Sequence, residues 1–281
     1  MSMDTTGAAA TSGMDLHCIN PWEVAFLRKD VKLYVAHGIQ LEDGATVVDV
    51  GANVGVFSAY VHELLGGAAS IFAFEPLPPI FAMLERNARE QFGGRVTALP
   101  YGLSSREDEV EFTYFSAATL LSSSRRTDEN LASERERMAR WFAQWVGQGG
   151  AGPVLRRLPT FVIRRIAKSA LRRLKKMQTY RVRVRPLSAV IDELGIETID
   201  LLKIDVEGAE IDVLSGIDQR HWPMIRQAAV EVDGWKKTYP LIREIFESKG
   251  FRVHAEQDSI QEAGDFGMIY AIGASGKSET C

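Results

Sequence analysis

Hydrophobic and polar positions along this chain follow two periods, and the places where one gives way to the other outline its elements. Val47-Val48-Asp49-Val50 is an apolar, β-branched run that feeds a turn holding Gly51 and Gly55. Beyond it, Phe57, Tyr60, Val61 and Leu64 recur at helical spacing, which predicts a strand, a tight turn and a helix. The unit then repeats. Ala69 to Pro76 is a short apolar strand, Pro78-Pro79 open a helix reaching Gln91, Val96 to Pro100 is a third strand, and Val110, Phe112 and Tyr114 alternate as an antiparallel one. After a break the order resumes with a helix from Ser188, taken as its cap, to Leu194 and a strand from Ile199 to Ile204. A helix from Val206 to Leu214, a strand from Ala228 to Val232, a helix from Leu241 to Ser248, and strands Phe251 to His254 and Met268 to Ile272 complete it. Strands alternating with helices predict an α/β fold, a mostly parallel sheet covered on both faces with an antiparallel edge at its end.

The break is itself patterned. Leu131, Met138, Trp141, Phe142 and Trp145 keep helical spacing between Asp128 and Val146. Val162, Ile166, Ala170, Leu174 and Met177 form the stripe of a second helix over 160–177 that Thr160 could cap. The two make a helical insertion, a lid, over about residues 117–179, and Tyr180 to Arg185 alternates as a strand expected to pair with the one near 110–115. Residues 1–15 and 274–281 are small and polar and are expected to be disordered, leaving a single domain over 16–273. Within it, Pro21 to Leu41 reads as a capping segment whose Tyr34 and His37 could overhang the glycine turn.

Composition narrows the class. The chain has 281 residues, 46% hydrophobic and 25% charged, enough for a sizeable core. Two cysteines, Cys18 and Cys281, imply no disulfide framework, and neither a leader pattern nor a membrane-spanning run is present, so a soluble, cytoplasmic protein with no transmembrane segment is expected. The net charge of −4 hides an asymmetry: between Pro153 and Arg185 lie 12 of the 33 Lys and Arg residues and none of the 37 acids. This basic helix suits a solvated face, an anionic membrane surface or, as the leading functional reading, docking of an acidic partner such as an acyl carrier protein. Nucleic acid is excluded as a partner, because no nucleic-acid motif accompanies the charge and the body is acidic.

Ligands of such sheets lie beyond the carboxyl ends of the strands, an edge expected to gather Asp49, Glu75, Tyr101, Asp205, Glu231 and Asp233. The turn Gly51-Ala52-Asn53-Val54-Gly55 lets backbone approach a ligand, and the helix after it offers free N–H groups. Asp49 adds a negative charge that suits a positive centre. Glu75, followed by Pro76, stands about 20 residues beyond the glycines, where an acid receives ribose hydroxyls in doubly wound folds. A nicotinamide-binding loop is the competing reading, against which Asn53 stands where the usual second glycine would be.

Read together, Val48-Asp49-Val50-Gly51-Ala52-Asn53-Val54-Gly55, Phe74-Glu75-Pro76 and Asp200-Leu201-Leu202-Lys203-Ile204-Asp205-Val206-Glu207-Gly208-Ala209-Glu210 resemble the FkbM family of S-adenosylmethionine-dependent O-methyltransferases. Tyr34-Val35-Ala36-His37-Gly38, Ala118-Thr119-Leu120, Trp222-Pro223-Met224-Ile225-Arg226-Gln227 and His254-Ala255-Glu256-Gln257-Asp258 add a likeness to its polyketide-decorating branch. The resemblance implies a class I methyltransferase Rossmann-like fold, seven strands with the last antiparallel, and methyl transfer to an oxygen of a small-molecule or carrier-protein-bound acyl substrate. A sugar or lipid hydroxyl is the alternative acceptor, and a non-catalytic scaffold module the alternative class. S-Adenosylmethionine would be held by Asp49, Gly51, Ala52, Asn53, Gly55, Glu75, Pro76, Tyr101, Gly102, Leu103 and Asp205. The acceptor's proton needs a destination: His37, Asp205, Glu231 and Asp233 are the candidates. Where the family often has histidine this chain has Asp233. Tyr34, Glu207 and Trp235 are expected near the substrate. No metal is expected, although Asp205, Glu231 and Asp233 could together hold a divalent ion.

Overall fold

The computed structural model describes residues 13–116, 119, 122, 157–173, 177–257 and 266–273, without side chains over 167–177. The two predicted termini beyond residues 13 and 273, the helix expected over 128–146 and most of the expected lid lie outside these residues. The expected disordered N-terminus ends earlier than residue 15, because Met14 N–H donates to Glu63 Oε1 at 3.1 Å and Leu16 is buried in the core.

Helix α1 (Pro21–Asp30) runs into a 3-10 turn at Val31–Val35. There follow β1 (Thr46–Val50), α2 (Val56–Leu64), β2 (Ser70–Phe74), α3 (Pro78–Gln91), β3 (Val96–Leu99), β4 (Gly102–Leu103) and β5 (Asp108–Phe115). The remaining elements are α4 (Thr160–Arg173), β6 (Met177–Arg185), α5 (Leu187–Leu194), β7 (Leu201–Ile204), α6 (Glu210–Ser215), β8 (Gln227–Asp233), α7 (Trp235–Ser248), β9 (Arg252–Gln257) and β10 (Phe266–Ile272). Seven strands form one sheet in the order β3-β2-β1-β7-β8-β10-β9. Its members are parallel except β10, which runs antiparallel to both β8 and β9. The pairing of β6 with β5 is antiparallel, as the alternation after Tyr180 predicts, and β4 adds a short parallel edge.

The central strands are covered on both faces, which is why they read as nearly continuous apolar runs. Val47, Ile71 and Leu201 pack beneath α2 and α3 with Phe57, Val61, Ile80 and Leu84. On the opposite face Val48, Leu202, Ile204 and Val230 pack with Val190 and Ile191 of α5 and Ile242 and Phe246 of α7. Each such side chain contributes about 1.5–3 kcal/mol by leaving water. Near the end of β1 the chain has no room for a side chain. Gly51 has φ +75°, and a Cβ there would lie 1.8 Å from the Asp205 carbonyl oxygen.

Four boundaries differ from the pattern. The helix expected over 160–177 is described as far as Arg173, and Met177 opens β6, where alternation from Gln178 outcompetes the apolar stripe. Ser188 does not cap α5: its Oγ contacts His221 Nδ1 at 2.7 Å and accepts the Asp218 N–H at 2.6 Å. Helix α6 starts at Glu210 rather than Val206, since Glu207 (φ +52°) and Gly208 (φ +98°) take left-handed conformations. Residues 205–209 are therefore a loop. Helix α7 begins at Trp235 and carries Pro240 inside it, the residue that hides its first turn from a sequence reading.

Candidate active site

The carboxyl ends of β1, β2 and β7 open into a cleft of about 1220 Å³, counting its solvent-filled mouth. Gly51, Ala52, Asn53, Glu75, Pro76 and Leu77 line one wall, with Gly102 and Leu103 beside them. Tyr34, Lys203, Asp205, Val206 and Glu207 form the floor and near wall, and Leu27, Val31, Val110, Phe112, Thr119 and Ser122 close the far side.

The glycine turn uses its own N–H groups inside the protein. Gly51 and Ala52 donate to the Phe74 carbonyl at 3.1 and 2.9 Å, Gly55 donates to the Ala52 carbonyl at 2.8 Å, Asn53 to Glu75 Oε2 at 3.2 Å and Val54 to its neighbour's Asn53 Oδ1 at 2.8 Å. Three of the turn's N–H groups dock it to the end of β2, and those of Val54 and Gly55 bond within the turn. The donors left for an anion are those of the first turn of α2, which a helix start leaves without an intrahelical partner. Glu75 is held between the Asn53 N–H and the Leu77 N–H, the latter at 2.9 Å, and burial raises its carboxyl to about 7 despite those bonds.

Beneath the cleft floor lies a buried lattice of charges. Lys203 sits opposite Asp49 in the register of β7 and β1, 3% exposed in its side chain, with Nζ 3.1 Å from Asp49 Oδ1 and 3.5 Å from Asp205 Oδ2. It donates to the carbonyls of Gly51 at 2.9 Å and Val50 at 3.3 Å. Among the described residues Asp49 Oδ1 has no hydrogen bond and is held by the ion pair alone, whereas Asp49 Oδ2 accepts the Ser58 hydroxyl at 2.7 Å. Burial works against the charge on Lys203, but Asp49 and Asp205 outweigh it, so its ammonium is held above the usual range. The rings of Tyr34 and Phe57 lie 5.3 and 5.9 Å from Nζ.

Tyr34 bridges two carboxylates. Its hydroxyl is 3.0 Å from Asp205 Oδ2 and 2.5 Å from Glu231 Oε2. One phenol proton cannot serve both. Burial, then Asp205 and Glu231, push the Tyr34 hydroxyl well above its ordinary value, so it stays neutral. Burial, then the charge of Asp205, raises Glu231 to about 8. Burial and the charge of Asp205 thus favour a proton on Glu231, and the Tyr34 hydroxyl joins the two carboxylates.

The structure brings Gly51, Ala52, Asn53, Glu75, Pro76, Gly102, Leu103, Tyr34, Asp205 and Glu207 to the cleft and places the other expected residues elsewhere. Asp49 is fully buried, its charge matched by Lys203 rather than turned to a ligand. Gly55 faces Leu84, and Tyr101 is buried against Phe74 with Arg185 over its ring. His37 lies over the outer strands, stacked on His254 at 4.4 Å with Nε2 3.0 Å from Glu256. Asp233 accepts the Gly234 N–H at 2.9 Å at the start of α7. Trp235 stacks on Tyr239 at 4.5 Å, and its ring occupies the space a side chain at Gly267 would need. Asp205, Glu231 and Asp233 do not gather as a metal site: the one group of described residues whose ligand atoms lie within 4.8 Å of each other is His37, His254 and Glu256. Lys203 escaped the sequence reading, though a lysine in the otherwise apolar run Leu201 to Ile204 was its signal, since a buried ammonium needs a partner.

A parallel sheet with one antiparallel strand inserted at β10, helices on both faces and a cleft at the ends of β1, β2 and β7 defines a class I methyltransferase. The chain belongs to the FkbM family of S-adenosylmethionine-dependent methyltransferases: the family described as "Methyltransferase FkbM domain" matches residues 49–253. It is 31% identical over 275 residues to the 31-O-demethyl-FK506 methyltransferase FkbM of Streptomyces tacrolimicus, covering 94% of this chain and 96% of that one. It is 31% identical over 269 residues to methyltransferase sdnD of Sordaria araneosa, covering 92% and 93%. A third relative, AMB antimetabolite synthetase AmbE of Pseudomonas aeruginosa, is 31% identical over 280 residues, which are 97% of this chain but 12% of the synthetase. Among solved structures, methyltransferase FkbM from Methylobacillus flagellatus shares the fold, with a TM-score of 0.50 at 15% identity over 85% of this chain and 47% of its own. Among the described residues no helix is long and apolar enough to cross a membrane.

Proposed function

We propose that this protein transfers a methyl group from S-adenosylmethionine to a hydroxyl oxygen of an apolar natural-product intermediate of polyketide or peptide type. The observation that carries this reading is the Glu231, Tyr34, Asp205 chain ending in the cleft. Both Tyr34 and Lys203 contact Asp205 Oδ2, which leaves Oδ1 for the proton of an acceptor hydroxyl. S-Adenosylmethionine supplies an electrophilic methyl group on a sulfonium centre. The residues present fit it. Lys203 against Asp49 and Asp205 leaves one net negative charge at the cleft floor, suited to a cation, and Glu75 is a carboxyl group on the wall suited to two hydroxyls. Gly51, Ala52, Asn53, Pro76, Gly102 and Leu103 would complete that wall. Asp205 takes the acceptor's proton, Tyr34 and Lys203 hold Asp205 in place, and the apolar walls exclude water.

Leu27, Val31, Val110 and Phe112 on the far side favour an apolar acceptor over a sugar, whose many hydroxyls need polar partners. The names of the relatives, a demethyl-FK506 methyltransferase and an antimetabolite synthetase, agree with natural-product chemistry. Delivery on an acyl carrier protein is favoured by α4, which exposes Phe161 and Ile166 beside the exposed Arg165, an apolar and basic surface complementary to an acidic carrier. The test is incubation with methyl-labelled S-adenosylmethionine and hydroxylated polyketide and peptide acceptors, each free and as a carrier thioester. A new O-methyl signal by NMR supports the reading, a methyl on nitrogen or carbon would sink it, and salt-insensitive use of the carrier-bound form would remove the docking role of α4.

A further inference from the structure

We propose that His37, His254 and Glu256 bind a divalent transition metal of the zinc class, and that the ion clasps the segment carrying Tyr34 to the outer edge of the sheet. The three side chains come from two distant stretches, Tyr34 to Gly38 and the strand β9, and each is solvent-accessible. His254 and Glu256 stand two residues apart on β9 and so share one face of the sheet. His37 reaches them from the turn after the 3-10 segment. Its Nε2 is 3.0 Å from Glu256 Oε2, and His254 Nε2 is 3.7 Å from Glu256 Oε1. Both imidazoles thus turn the same nitrogen toward one carboxylate, and the three ligand atoms lie within 4.8 Å of one another. The rings stack at 4.4 Å with 19° between their planes. Rotation about the second side-chain torsion, which is broad for histidine, brings both nitrogens onto a common ion. Two imidazoles and a carboxylate form a nitrogen-rich set that selects zinc-like ions over magnesium or calcium and leaves a fourth position open.

The register of the sheet ties this cluster to the cleft. Asp49, Lys203, Ala229, Tyr270 and His254 form one row across five strands, and Glu231, Met268 and Glu256 form the next, all on one face. The chain from Tyr34 to His37 lies over those rows, with Tyr34 on Glu231 at the centre and His37 on Tyr270 and His254 at the edge. An ion fixing His37 therefore also fixes the backbone three residues from the Tyr34 hydroxyl. Ligands that bind only the ordered state stabilise it.

The test is titration of the chelator-treated full chain with zinc chloride by calorimetry, with magnesium chloride as the control salt and His17→Ala, which alters an unrelated, half-buried histidine, as the control variant. One ion per chain, at least tenfold weaker binding in His254→Ala and in Glu256→Gln, and slower hydrogen exchange over residues 31–39 on adding zinc are expected. His254 is on an exposed position of an edge strand, so its variant tests the site without opening the core. No binding, or binding that both variants leave within threefold of the parent, overturns the site. Binding with unchanged exchange over 31–39 overturns the clasp.

Discussion

Replacing Lys203 with methionine keeps an unbranched side chain, one atom shorter, and removes its charge from a place where water cannot substitute. The ammonium stands 3.1 Å from an Asp49 oxygen with no hydrogen bond of its own, within a side-chain exposure of 3% and 0% for the two partners. Removing one member of a buried pair strands the other and costs about 3–5 kcal/mol, and the bonds to the Val50 and Gly51 carbonyls are lost as well. The protein as a whole is expected to be stable by about 5–15 kcal/mol, so the loss is a large part of the total. Lys203→Met is therefore expected to lower the urea midpoint sharply at an unchanged slope, by about 3–5 kcal/mol in unfolding free energy. Asp49→Asn should cost about as much alone. The double variant should lose at least about 2 kcal/mol less than the two single losses added, because neither charge is then stranded. A Lys203→Met loss below about 1 kcal/mol, or additive losses in the cycle, would refute the account of the lattice as one charge-matched unit.

Three further outcomes follow from the same geometry. Tyr34→Phe removes the hydroxyl between Asp205 and Glu231 while keeping the ring over Lys203, so turnover should fall about 10²–10³-fold with cofactor affinity within threefold, as read by steady-state kinetics and calorimetry; equal losses in both would assign Tyr34 a packing role only. Burial raises Glu75 from 4.5 to about 7, so the folded chain holds the extra proton between those values; its stabilising effect is complete below about 4.5 and is lost as pH rises through 7, a change of roughly 3 kcal/mol that Glu75→Gln should remove from the urea stability profile, whereas an unchanged profile would contradict the buried carboxyl. Gly51→Ala needs a left-handed backbone and puts Cβ 1.8 Å from the Asp205 carbonyl, so it should displace β7 from β1, cost more than about 3 kcal/mol and abolish cofactor binding, and a stable, binding-competent variant would show that the loop 205–209 moves freely.

Much of the architecture was legible because its signals are local. A β-branched run before two glycines, Pro78-Pro79 at a helix start and alternation in β5 and β6 depend on neighbours within a few residues, and each marks an observed element. The misread boundaries are those where a local signal competed with a distant one. Glu207 and Gly208 both take left-handed conformations, and only Gly208 carries a local signal for one. Ser188 has the chemistry of a helix cap, but His221 and the Asp218 N–H, brought up by the fold, use its hydroxyl instead. Residues 205–209 were legible as a family motif and illegible as a shape.

The site was legible by position and illegible by charge. Sequence order puts Asp49 at the end of β1 and Asp205 at the end of β7, which is enough to place both near the ligand edge but says nothing of what lies between them. The adjacency of β1 and β7 sets Lys203 directly opposite Asp49, across 154 positions of chain, and that register decides which acid is spent inside the protein. An acid matched by a buried ammonium has little field left for a ligand, since opposite charges about 3 Å apart in a weakly screening interior act on the cleft as a dipole. In the proposed reading, the negative charge that a cationic methyl donor would meet is that of Asp205, whose side chain is 25% exposed, while Asp49 holds the lysine beside it. The same step explains the proton chain. With Lys203 and the Tyr34 hydroxyl both on Asp205 Oδ2, one oxygen of that carboxylate is held, and Tyr34 ties it to Glu231, whose protonated form burial favours. Positioning of Asp205, the proposed base, thus depends on strands β1, β7 and β8 and on the segment before β1 together, which is why no single motif could disclose it.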